Sequence, residues 1–390
     1  MKTKTLYLRW LLIGLAVLLI GSCLILYYLS GIDIFAKPGW NRQNGITKYL
    51  DHKGKPVTEW QTIDGRTYYF DPETAALTTG WLELDNQRYY LDPTGATCSG
   101  WQTIQGKRYY LDESGAASTG WKTLADDTYY FSGDGAMVTG LQTIEASSYY
   151  FSSEGALQYG WQTIDGERYY FSTDGTMHTG WLEEETDRYY FHEDGTMAVG
   201  EVVIDDFSYF FTSQGKYVIL VNPWHLMPED YTCDLVDIEG FLIDSSCKDA
   251  LQQMIDDCRA AGYRCVINNT YRSVETQQEM WDVRIKKWTG QGMSYEDAVA
   301  LIGESLALPA ASEHNLGLAV DILGTDGMYA WLNSHCHEYG FIMRYPDNKM
   351  DITGIIYEPW HFRYVGTELA QELAQLGLCM EEYMQMLTAK

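Results

Sequence analysis

Residues 160–180 read GWQTIDGERYYFSTDGTMHTG, and this phrase decides the first half of the chain. A short apolar run beginning at Trp161 meets Asp165-Gly166, a dipeptide that suits the tight turn of a two-residue β-hairpin. The chain then returns through Tyr169-Tyr170-Phe171, turns again at Gly175, and reaches the next Gly-Trp at 180–181. Working outward, the marker recurs at Trp40, Trp60, Trp81, Trp101, Trp121, Trp161 and Trp181, with Leu141 and Glu201 standing where two more would fall. An aromatic pair follows each marker after the first about eight residues later, as at Tyr68-Tyr69 and Tyr109-Tyr110. A period of about twenty residues over 38–217 marks a solenoid, because one hairpin buries too little apolar surface to stand alone and must share it with its neighbours. A stack of hairpins is the expected fold of this region.

The composition agrees. Of 390 residues, 31 are Tyr and 13 are Trp, far more than one core needs, and most lie before residue 211. The chain is too long for a single ordinary core. Its formal charge of −27, from 54 acidic and 27 basic residues, argues against a nucleic-acid partner, which requires a basic face.

Residues 1–30 form a separate segment. Lys2, Lys4 and Arg9 precede an apolar run from Trp10 to Tyr28, about long enough to cross a bilayer as a helix. The charge asymmetry places the N-terminus in the cytoplasm and the rest outside, as a single-pass membrane protein with extracellular domains. A cleaved signal peptide is the alternative, but the run is longer than a usual signal core and no small-residue cleavage site follows it. Ile20-Gly21-Ser22-Cys23 leaves a lipoprotein signal as a third reading. Of eight cysteines, Cys233, Cys247, Cys258 and Cys265 cluster closely enough for one or two disulfides, and no CxxC pair points to a thiolate metal site.

From 222 to 390 the period stops and globular patterning begins. Ser246–Ala261 has apolar residues at helical spacing with Ser246 as N-cap; 265–270 reads as a strand; 274–289 and 294–304 read as helices. Gly317–Leu323 reads as a strand, 326–339 as a helix and 357–365 as a strand, which together predict an α+β domain. The chemistry lies in two phrases, Ser312-Glu313-His314-Asn315-Leu316-Gly317-Leu318-Ala319-Val320-Asp321 and Glu358-Pro359-Trp360-His361-Phe362-Arg363. Two imidazoles and a carboxylate, His314, Asp321 and His361, are a standard donor set for a catalytic zinc with an open position. Glu358, kept out of a helix by Pro359, is placed to act as general base. Glu313 reads as a solvated neighbour, and His335 and His337, two apart on a helix, as structural or exposed.

The phrases SEHNLGLAVD, YEPWHFRYVG and YGFIMRYP resemble the signatures of VanY-type D-alanyl-D-alanine carboxypeptidases, a family that includes LD-carboxypeptidases and endolysin peptidases. The resemblance implies zinc on His314, Asp321 and His361, water activation by Glu358, and stabilisation of the scissile carbonyl by Arg272. It assigns Gln277 and Ser312 to the substrate's terminal carboxylate, with Trp360 among the substrate-binding residues. Asn269-Thr270 stands where the family usually has Ser-Gly or Ser-Ala. The repeats resemble the wall-binding repeats of choline- and glucan-binding proteins. Arg88, Arg108, Thr128 and Ser148 stand where choline binders often carry a further aromatic, which leaves a choline-bearing teichoic acid or a glucan as the ligand. The expected activity is D,D-carboxypeptidase action on peptidoglycan stem peptides. L,D-carboxypeptidase or endopeptidase action on the same substrate and an adhesive protein with an inactive peptidase scaffold are the alternatives.

Overall fold

The structure, a computed structural model, describes residues 37–185 and 187–389. These divide into two compact units. One comprises the chain up to Gly160 together with Phe171–Met177; the other comprises Trp161–Tyr170 and the chain from His178 onward.

Within the first unit each repeat is an antiparallel hairpin of two five-residue strands, as in Glu59–Ile63 with Arg66–Phe70. Its turn places Asp64 at φ 51° and Gly65 at φ 78°, the left-handed pair that matches the twist of the flanking strands. The last strand residue is driven fully inside: Phe70, Leu91, Leu111, Phe131 and Phe151 are all 0% exposed. The segment after each second turn pairs with the preceding hairpin, through Thr97 N to the Thr67 carbonyl at 2.8 Å and Met137 N to the Arg108 carbonyl at 2.8 Å. Those bonds make the stack that a lone hairpin needs. Gly95 shows why the second turn favours glycine, since φ is +84° and a Cβ there would lie 2.6 Å from Leu77, though Ala75 takes the equivalent place one repeat earlier at φ 56°.

The second unit carries the last repeats and an α+β domain. After a hairpin of β1 (Leu235–Ile238) and β2 (Phe241–Asp244), the domain contains α1 (Lys248–Ala260), β3 (Val266–Asn269), α2 (Val274–Gly290) and α3 (Tyr295–Gly303). There follow β4 (Ala319–Leu323), α4 (Asp326–His335), β5 (Phe341–Met343), the short α5 (Met350–Thr353), β6 (His361–Tyr364), α6 (Thr367–Leu376) and α7 (Met380–Thr388). Four strands form one antiparallel sheet in the order β3-β4-β6-β5. Leu251, Met254, Ile255 and Cys258 form one face of α1 and pack against Ile267, Val320, Ile322, Phe341 and Phe362 of the sheet. Because side chains alternate along a strand, burying Val320, Ile322 and Phe362 turns Asp321 and His361 to the opposite face.

Several expectations shift. The helix cap moves from Ser246 to Asp244, whose carboxylate accepts from Ser246 N before a 3-10 turn leads into α1. The strand expected from 357 begins at His361, because Pro359 cannot donate to a ladder and Glu358 instead closes a turn onto His361 N at 3.2 Å. The expected disulfides are absent among the described residues: Cys98, Cys233, Cys247, Cys258, Cys265, Cys336 and Cys379 are all free, and four of them pack in the domain core as small apolar groups. The anchor expected at 10–28 lies outside the described residues, among which no helix is long and apolar enough to cross a membrane.

Candidate metal centre and active site

Three neighbouring strands set out the site as a row. Asn269 of β3 pairs with Asp321 of β4, and Asp321 pairs with His361 of β6. His361 Nδ1 lies 3.1 Å from Asp321 Oδ1. His314 enters from a buried 3-10 turn, Glu313–Leu316, which ends at Gly317 with φ +71°. A Cβ on Gly317 would sit 3.2 Å from the Asp244 backbone nitrogen, so only glycine lets this turn approach β2 so closely. His314 Nε2 then lies 3.3 Å from Asp321 Oδ2, and the donor atoms of His314, Asp321 and His361 all fall within 4.8 Å of one another.

This arrangement fits a zinc ion. Ligands at about 2.0–2.1 Å in a tetrahedron sit roughly 3.3 Å apart, the spacing of Asp321 from each of the two histidines, at 3.3 and 3.1 Å. Each imidazole turns one ring nitrogen toward Asp321 and the other toward a protein oxygen. His314 Nδ1 donates to the Thr270 carbonyl at 2.6 Å, which leaves Nε2 as the nitrogen turned toward Asp321. His361 Nε2 faces the Glu313 carboxylate at 3.5 Å, which leaves Nδ1 as the nitrogen turned toward Asp321. Burial lowers the His314 pKa against the pull of Asp321. For His361 burial is outweighed by Asp321 and Glu313, which raise it to about 9. Burial also opposes ionisation of Asp321, but hydrogen bonds from the two histidines hold it well below the ordinary carboxylate range.

Glu313 is therefore not the solvated neighbour that its sequence context suggests. It is 0% exposed, and its Oε1 accepts from Arg344 Nε at 2.7 Å and Arg363 Nη1 at 3.0 Å. Arg344 in turn makes a two-pronged pair with Glu381, at 2.9 and 2.6 Å. Burial resists the Glu313 charge, yet the two guanidiniums keep its pKa far below the usual value. His335 is structural, stacking on Trp331 at 4.4 Å and bonding the Trp331 carbonyl.

A cavity of about 210 Å³ opens over the row, lined by Arg272, Gln277, Arg284, Ser312, Glu358 and Trp360 together with the three metal-site residues. Glu358 is anchored through its N–H to the Tyr345 carbonyl at 3.1 Å, and burial raises its carboxyl pKa to about 7. Arg272 is clamped to the histidine turn: its N–H donates to the His314 carbonyl and its own carbonyl accepts from Asn315 Nδ2 at 2.7 Å. Gln277, expected at the substrate carboxylate, uses both ends of its amide inside the protein, accepting from Arg272 Nη1 and donating to the Ala307 carbonyl, each at 2.6 Å. Ser312 is buried on the cavity wall, and Trp360, 37% exposed, stands at its rim. Arg284, which also lines the cavity, carried no motif in the sequence that would have marked it, whereas Tyr345 lies within the phrase YGFIMRYP but has no role assigned to it.

A family model for D-alanyl-D-alanine carboxypeptidase, VanY, matches residues 241–367, the span that holds every residue lining the cavity. The C-terminal domain belongs to the VanY family. A second model, the choline-binding repeat, matches 57–98, 78–118, 98–139 and 158–200, so the chain joins a VanY domain to choline-binding-type repeats. A D-alanyl-D-alanine carboxypeptidase of Enterococcus faecalis is 39% identical over 175 residues, covering 43% of this chain and 65% of that protein. The chain thus spans a little under two thirds of that relative. Among solved structures, a VanY D,D-pentapeptidase from a VanB-type vancomycin-resistance cassette, in complex with Zn(II), is 39% identical over 43% of this chain and 97% of that one, with TM-score 0.40. Choline binding protein F of Streptococcus pneumoniae is 31% identical over 44% of this chain and 61% of that one, with TM-score 0.40.

Proposed function

We propose that this VanY-domain protein is a zinc-dependent D,D-carboxypeptidase that removes the C-terminal D-Ala from peptidoglycan stem peptides. The observation that carries the reading is the convergence of His314, Asp321, His361, Glu358 and Arg272 on one cavity. Zinc, when bound by the two histidines and Asp321, supplies a Lewis acid that polarises the scissile carbonyl. Glu358 takes the proton of the attacking water and returns it to the leaving amine, a task suited to a carboxyl whose pKa is lifted toward neutrality. Arg272, held by Gln277, donates to the carbonyl oxygen as negative charge develops there. Arg284 adds a second guanidinium to the same cavity, and two positive charges beside Ser312 suit a substrate that ends in a free carboxylate.

In this reading the repeats hold the enzyme on a wall polymer, either a choline-bearing teichoic acid or a glucan, and residues 10–28 anchor it in the membrane with the catalytic domain outside. Membrane fractionation of the full chain and of a chain lacking residues 1–30 tests the anchor; equal solubility of the two would remove it. The activity is tested by mass spectrometry of pentapeptide and tetrapeptide muropeptides incubated with the zinc-loaded full chain and a chelated control. Loss of one alanine from the pentapeptide alone is expected. Loss from the tetrapeptide would assign L,D specificity, and no zinc-dependent loss from either would exclude carboxypeptidase action.

A further inference from the structure

The repeats build a row of aromatic cages from edge-to-face rings, and in some of them an arginine lies over the tryptophan. Each cage joins the marker tryptophan to the second tyrosine of its own hairpin and the first tyrosine of the next. Trp60 lies 5.0 Å from Tyr69 and 5.1 Å from Tyr89; Trp121 lies 5.1 Å from Tyr130 and 4.8 Å from Tyr149; Trp81 lies 5.1 Å from Tyr90 and 4.7 Å from Tyr109. Rings of this kind around an open face attract a cation without a hydrogen-bonding head, such as a quaternary ammonium.

The residue two positions before the second tyrosine decides whether the face is open. Strand alternation puts it on the same side as the tryptophan, because Trp81 pairs with Tyr90 and Glu83 with Arg88. Where that residue is arginine, its guanidinium lies over the tryptophan ring: Arg88 over Trp81 at 4.1 Å, Arg108 over Trp101 at 4.3 Å, Arg168 over Trp161 at 4.2 Å and Arg188 over Trp181 at 4.5 Å. Two of these arms are pinned at the far end as well, Arg88 Nη1 donating to the Asp134 carbonyl at 2.7 Å and Arg108 Nη1 to the Glu154 carbonyl at 3.1 Å. At Trp40, Trp60 and Trp121 the same position is Thr47, Thr67 or Thr128, uncharged and too short to cover the ring. Trp40 and Trp121 are 46% and 42% exposed, while Trp60 is half-buried, as are the four arginine-covered tryptophans.

We propose that Arg88, Arg108, Arg168 and Arg188 are built-in cations that close their own cages, so that quaternary ammonium groups bind only at Trp40, Trp60 and Trp121. This rests on the reading of the repeats as wall-polymer binders and narrows it to specific sites. An arriving cation meets an occupied ring face and a like charge at the closed cages, and neither at the open ones.

Isothermal titration of the full chain with choline chloride is the test, with circular dichroism confirming that each variant folds. The wild-type chain is expected to take up about three cholines. Arg88→Thr with Arg108→Thr raises this to about five, and Thr128→Arg lowers it to about two. A wild-type stoichiometry near seven, or no change in a folded arginine variant, overturns the closure while leaving the repeats as choline binders. If the arginine variant fails to fold, Thr128→Arg decides alone, and an unchanged stoichiometry there overturns the proposal. No binding by any of these chains removes the quaternary-ammonium reading itself, and the closure with it.

Discussion

Oε2 of Glu313 lies 3.5 Å from Nε2 of His361, on the side of the imidazole away from Asp321. The carboxylate sits immediately before one metal-site histidine in sequence and orients the other in space. Its second oxygen is held by Arg344 and Arg363, so the charge that polarises His361 is itself neutralised by two buried guanidiniums. The metal centre is in this way tied to an ion-pair cluster that reaches Glu381 near the C-terminus.

Glu313→Gln keeps the shape but removes the negative charge facing His361 Nε2. Zinc affinity is expected to fall by about 10- to 100-fold, the usual effect of losing a carboxylate behind a ligating histidine. Competition titration with a zinc chelator reads this directly, and wild-type affinity in a folded variant would show that Glu313 serves only the arginines.

Glu358→Ala is expected to cut kcat by at least about 10²–10⁴-fold while zinc remains bound, since Glu358 moves the proton and contributes no donor to the His-Asp-His set. Metal analysis alongside single-turnover kinetics separates the two effects. Full activity in the variant would remove Glu358 from the mechanism.

Burial lifts the Glu358 carboxyl to about 7 in the metal-free site. The base must be ionised to accept a proton, so kcat/KM falls as pH drops through its pKa and is level above it. A bound dication favours the carboxylate, which puts the acidic limb at or below about 7. A pH profile of kcat/KM checks the sign, and activity that rises on acidification would contradict it.

Arg344→Ala strips partners from two buried carboxylates at once. Arg344 and Glu313 are 0% exposed in their side chains and Glu381 is 7% exposed, so water cannot replace the lost guanidinium. A stability loss of about 3–5 kcal/mol is expected by denaturant unfolding. A loss below about 1 kcal/mol would place the cluster with surface pairs.

The parts of the fold that were legible before the structure are those with local causes. The repeat hairpins follow from turn residues and strand alternation within a few positions, and α2 was legible over 274–289 because Ser273 caps it, its hydroxyl accepting from Thr276 N. The hairpin of β1 and β2, strand β5 and helices α5 to α7 were missed. Strands of three or four residues carry too little periodicity to register, and α6 and α7 pack chiefly on a cluster formed with Phe210, Leu220 and Ile342 from distant parts of the chain.

What the sequence determined by itself was the donor chemistry: two histidines, an aspartate, a glutamate and an arginine in two short phrases, and a period of about twenty residues with its aromatics in place. What only the tertiary structure decided was which charged groups are buried and what they face. Glu313 and the arginines 31 and 50 residues away converge only when β5 and β6 close over the histidine turn. Arg88 reads as a departure from an aromatic pattern until the hairpin register brings it over Trp81. A side chain's charge is written in the sequence, but its surroundings come from strand pairing between distant residues.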